Sequence, residues 1–80
     1  MHEMHLMKDL LADLLQAAGK NGLKKITRIY VRMGEFTEIN PEILKYFLKQ
    51  SDRGTAAEGA QLQLETSPVR ELRLVSFDGE

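Results

Sequence analysis

Two stretches of this chain alternate apolar with polar residues, and between them stands a stretch of helical spacing. In KKITRIYVRMGE, Ile29, Val31 and Met33 alternate with Arg28, Tyr30 and Arg32, as a strand with one buried face requires. In AQLQLET, Leu62 and Leu64 alternate in the same way with Gln61, Gln63 and Glu65. Asn40-Pro41 signals a helix start between the two strands, because asparagine caps exposed amides and proline at the first helical position forfeits no hydrogen bond. That helix is expected to run to about Ser51, with Ile43, Leu44, Phe47 and Leu48 as its buried face and Gly54 just beyond its end. A strand–helix–strand unit from Ile26 to Glu65 folds as a right-handed crossover with its two strands parallel.

The flanks complete the architecture. From about Met4 to Ala18 the residues Leu6, Leu10, Leu14 and Ala17 form one stripe, flanked by Met7, Leu11, Leu15 and Ala18, which is a wide apolar helical face. This helix ends at GKNG, where Gly19 and Gly22 can take up the left-handed conformation of a C-cap. RELRLVSF alternates again, with Leu72 and Leu74 inward. Only TSPV separates it from the preceding strand, too short for another crossover, so the last strand must run antiparallel to its predecessor. The expected fold is α+β: a two-layer sandwich of order α-β-α-β-β, with two helices on one face of a three-stranded mixed sheet. Residues 1–80 form one domain, whose folding buries only about 60% of the surface exposed by the unfolded chain.

Charge and composition remove several functions. Eleven basic against twelve acidic side chains give a net charge of −1, which does not favour a nucleic-acid partner. The absence of cysteine excludes disulfides and thiolate metal sites. No uninterrupted apolar run reaches the ~18 residues of a membrane span. Glu3, Lys8 and Asp9 do not suit a signal peptide, so the expected location is cytoplasmic and no membrane partner is expected. No nucleophile and base stand in a recognisable pattern, so the chain is not expected to be an enzyme. Met4 and Met7 beside a leucine stripe read as core filling. Glu35 and Glu38 read as solvated loop charges, and Arg28, Arg32, Arg70 and Arg73 as a solvent-facing sheet edge.

The amino terminus carries more specific chemistry. A free Met1 amine, the deprotonated amide of His2 and the His2 imidazole close consecutive five- and six-membered chelate rings around one ion. Three nitrogen donors thus come from two residues. Nickel(II) accepts tetragonal or square-planar nitrogen coordination and outranks manganese and iron at such a site; copper binds more strongly still, so availability has to exclude it. His5 reads either as a polar residue of the helix or, three residues from His2 and within reach of the same ion if both share one helical face, as an axial or a competing ligand.

MHE at the terminus, RMGE at a strand end, INPEIL and RGTAAEGAQLQLE together resemble HypA, the nickel metallochaperone family of nickel–iron hydrogenase maturation. The resemblance covers nearly the whole chain, and Met-His-Glu is its most specific part. It implies that the Glu3 backbone amide joins Met1 and His2 around Ni(II), that the large His2 side chain protects Met1 from removal, and that position 5 ordinarily holds a small residue. It implies as partners a HypB-like maturation GTPase and a hydrogenase large-subunit precursor, with urease as a further destination. The family also carries a zinc domain with two Cys-x-x-Cys pairs after the segment matching LQLETSPV. Here the return strand follows at once, so no zinc is expected, and the apparent junction falls near residues 69–70; the match on both flanks favours excision over natural loss. A metal-free interaction or dimerisation module is the alternative function. A homodimer by exchange of the last strand is a further expectation, since a short proline-containing link has to cross a neighbouring strand if the last strand belongs beside the first.

Overall fold

The computed structural model describes residues 2–36 and 38–80, the side chains of His2 and Glu3 excepted. Its elements are α1 (His2–Lys20), β1 (Ile26–Met33), α2 (Pro41–Ser51), β2 (Gln61–Thr66) and β3 (Leu72–Gly79), in the order expected. α2 begins as its dipeptide requires: the Asn40 backbone is extended, its side-chain Oδ1 accepts the Ile43 N–H at 2.8 Å, and Pro41 opens the first turn. The core gathers Met7, Leu10, Leu14 and Ala18 from α1, Leu44 and Leu48 from α2, and Ile26, Ile29, Val31 and Met33 from β1.

Two expected core residues are not in it. Leu6 stays 36% exposed and Ile43 40% exposed, whereas Met7 is fully buried. The apolar face of each helix is wider than the surface it meets. Three strands cover only the middle of each stripe, so α1 settles on the Met7–Leu14–Ala18 line and α2 on Leu44–Leu48.

The sheet order is β2-β1-β3. β1 pairs in parallel with β2, setting Ile29 opposite Leu62 and Val31 opposite Leu64. On its other side β1 pairs antiparallel with β3, setting Met33 opposite Leu72, Val31 opposite Leu74 and Ile29 opposite Phe77. The last strand therefore points opposite to β2, as expected, but is not its neighbour. The β1–β3 ladder skips Thr27 on one strand and Val75 on the other, two bulges that strengthen the local twist. Because α1 leads directly into β1 and α2 joins parallel strands, both helices start at the end of the sheet where β1 and β2 finish.

To reach its place, the chain from β2 must pass over the end of β1. Residues 67–71 make that passage with their own hydrogen bonds. Ser67 N–H donates to the Met33 carbonyl at 3.0 Å, and Gly34 N–H donates to the Glu71 carbonyl at 2.8 Å. Within the link, Ser67 Oγ donates to Glu71 Oε2 at 2.5 Å and accepts the Val69 N–H at 3.2 Å. Gly34 lies directly beneath: a Cβ there would overlap the Val69 carbonyl oxygen and crowd the Arg70 Cα at 3.1 Å. The obstacle is backbone, which a rotamer change cannot remove.

Gly34→Ala is accordingly expected to lower stability by about 1–3 kcal/mol, the usual cost of forcing atoms into filled space. Gly19→Ala serves as the contrast, since a Cβ at that helical position meets nothing within 4 Å. It should stabilise the chain by roughly 0.5 kcal/mol. Urea unfolding of both variants checks the pair, and a neutral Gly34→Ala would contradict the close crossing.

Candidate functional site

α1 opens at His2, so the backbone that carries the expected metal donors is the first turn of a helix. Met1 lies outside the described residues, as do the side chains of His2 and Glu3, and with them the expected ligand geometry. The first four N–H groups of a helix have no intrahelical acceptor, which leaves the amides of His2 and Glu3 outside the helical ladder. The same end carries the positive pole of the helix dipole, which by itself opposes a cation. A divalent ion that displaces protons from two such amides leaves a neutral centre, and the opposition largely disappears. His5 is exposed. Helical spacing sets it almost opposite the buried Met7–Leu10–Leu14 line. Among the described residues no three histidine, aspartate or glutamate side chains gather where they could hold a metal.

The arginines do not converge on one site. Arg28 Nη2 donates to Gln61 Oε1 at 3.2 Å, and Arg32 Nη2 to Glu65 Oε1 at 2.8 Å, both on the open face of the sheet. Tyr30 on that face donates to Asp78 Oδ2 at 3.1 Å. Arg70 instead stands over the Phe36 ring, 5.5 Å from its centroid, and Arg73 lies opposite Arg32 in the β1–β3 ladder. Glu35 and Glu38 are both exposed between β1 and α2, as expected.

The sequence reading overlooked Asp52. It follows α2, is 7% exposed, and borders a cleft of about 460 Å³ with Leu48, Lys49, Arg53 and Leu62. Its backbone closes the helix by donating to the Leu48 carbonyl at 2.8 Å and accepting from Thr55 N–H at 3.0 Å. Burial, and then the nearby Glu58 charge, hold the Asp52 carboxyl above its ordinary value of 3.8. A signal for this was present, because Leu44, Leu48 and Asp52 are spaced by four and continue one helical line. A second hollow, of about 370 Å³, lies at the opposite end of β2 between Met33, Phe36, Ile39 and Leu64.

A family model described as "Hydrogenase/urease nickel incorporation, metallochaperone, hypA" matches residues 1–72. A hydrogenase maturation factor HypA from Lawsonia intracellularis is 39% identical over 69 residues, covering 86% of this chain and 58% of that protein. One from Methanopyrus kandleri is 37% identical over 65 residues, covering 81% of this chain and 46% of its own length. The chain thus spans about half the length of these curated relatives. The solution structure of the Ni metallochaperone HypA from Helicobacter pylori superimposes with a TM-score of 0.78 at 15% identity, covering 94% of each chain, a likeness of fold.

Folding disfavours the charged form of Asp52, and this gives a pH signature. Stability from its neutral carboxyl is complete below 3.8 and is lost as pH rises through the elevated folded value. Asp52→Asn, which stays neutral, should match the parent in acid and exceed it near neutral pH. Urea midpoints measured across this range test it; an asparagine variant weaker than the parent at neutral pH would contradict the assignment.

Proposed function

The chain belongs to the HypA family, and from that premise we propose that it binds Ni(II) at its amino terminus and passes it on for hydrogenase maturation, with urease as a further destination. The observation that carries this reading is the run Met1-His2-Glu3 at the head of a helix that opens at His2. The Met1 amine, the His2 imidazole and the amides of His2 and Glu3 supply four nitrogens in tetragonal arrangement, with His5 as an axial or competing donor. Nickel is cargo here, to be given up. A site made from a helix end, where local opening costs little, suits release better than a site locked in the core. The receivers proposed are a HypB-like GTPase and a hydrogenase large-subunit precursor.

Zinc does not fit these residues. The chain has no cysteine, so the thiolate site of the family has no ligands here. We place the junction with a zinc domain at Val69–Arg70. Both residues are exposed on the link that crosses β1, which supports that placement.

Nickel titration separates this reading from a metal-free interaction module, for which no stoichiometric binding is expected. The parent chain should bind one Ni(II), and His2→Ala or a glycine added ahead of Met1 should each abolish tight binding. His5→Ala should keep the 1:1 stoichiometry. Full affinity in the extended chain would refute a role for the amine. Binding should also strengthen as pH rises past about 6.5, because the metal displaces protons from imidazole, amine and amides. Affinity that stays flat across that range would point to carboxylate ligands.

A further inference from the structure

The two free edges of the sheet are unlike. On β3 the ladder skips Val75, which is 51% exposed, and such a bulge bends an edge away from further pairing. β2 has no such guard. Its six residues, QLQLET, contain no proline, lysine or skipped position, and Leu62 and Leu64 are only half-buried along it. A strand in unbroken register with one side of its backbone unpaired is a template for another strand.

Charge is sorted along this edge. Lys45, Lys49 and Arg53 gather at the Gln61 end, around the cleft whose floor holds Asp52. Glu58 also borders that cleft, with its Oε1 accepting the Gly54 N–H at 3.2 Å. At the other end stands Glu35; Glu65 is there too, but on the open face and bonded to Arg32 at 2.8 Å. A uniformly acidic peptide laid along β2 would meet Lys45 and Lys49 at one end and Glu35 at the other. Opposite charges at opposite ends are instead self-complementary under a two-fold rotation.

We propose that β2 pairs antiparallel with β2 of a second copy of this chain, about a two-fold axis at Gln63. In that register Leu62 lies beside Leu64 of the second copy on the helix face. Gln61, already bonded to Arg28, lies beside Glu65 of the second copy. The two sheets join into one of six strands, and its remaining edges are the bulged β3 strands. α1 packs toward β3, so both α1 helices stay clear of the interface. Nothing in this pairing depends on nickel. It differs from an exchange of β3, which would leave the β2 edge open.

The absence of cysteine makes the test clean. Directly opposed residues in an antiparallel pair have Cα atoms about 4.5–5.5 Å apart, within the span of a disulfide. Gln63→Cys is therefore expected to form a covalent dimer under mild oxidation, whereas Ser76→Cys, exposed on β3, is not. Sedimentation equilibrium of the parent over about 10–500 µM should show a reversible dimer, since a single-strand interface is small. Gln63→Lys, which sets like charges opposite each other on an exposed face, should raise the dimer Kd by about two- to fivefold. A parent that stays monomeric throughout would overturn the proposal. So would a dimer indifferent to Gln63→Lys, which is the result β3 exchange predicts, or Ser76→Cys cross-linking as readily as Gln63→Cys.

Discussion

β1 has a neighbour on each side, and this placement governs the rest of the fold. It alone among the strands contributes fully buried residues to the core, from Ile26 to Met33, and both helices close over that face. A central strand that comes first in the sheet forces the chain to return to both of its flanks. One return is the crossover through α2 to β2; the other is the passage of residues 67–71 to β3. Both are organised at the same end of β1, and Gly34 begins the first while lying under the second. One glycine thus serves two connections, and its missing side chain is the clearance between them.

Much of this was legible in the sequence. Alternation named most inward residues of the three strands, missing Ile26 and Phe77, which lie beyond the skipped Thr27 and Val75 and so fall out of phase. Asn40-Pro41 fixed the start of α2 because the cap depends only on residues close together in the chain. Alternation reports which face of a strand is buried and says nothing of which strand lies beside it. The place of β3 next to β1 was therefore out of reach of the pattern, although its direction was not. The same limit explains Leu6 and Ile43. Periodicity shows how wide an apolar face is, whereas the width of the partner surface decides which part of that face is covered. Asp52 was passed over because a carboxylate after a helix is ordinarily solvated, and only its alignment with Leu44 and Leu48 marks it as buried.

The proposed nickel donors are legible for the opposite reason. They are consecutive in the chain, so their chelate rings follow from covalent geometry and need no tertiary structure to bring them together. His5 depends on the conformation of the intervening turn, and its part in the site is correspondingly the least determined by sequence. What the fold adds is the position of this segment at a helix start, where amides are unpaired and the dipole penalises net positive charge.

The two hydrogen bonds that hold the link, from Ser67 to Met33 and from Gly34 to Glu71, lie on either side of its exposed apex. They act as a clamp, keeping the feet of the link together whatever the apex contains. Extra chain entering at Val69–Arg70 would meet the entropy of closing a loop between fixed ends. That cost grows only with the logarithm of length, by about 0.6 kcal/mol for each doubling. The cost to the sheet of a longer span across the gap would therefore rise only slowly with its length. An insertion at that point would thus leave the β1–β3 ladder as it stands.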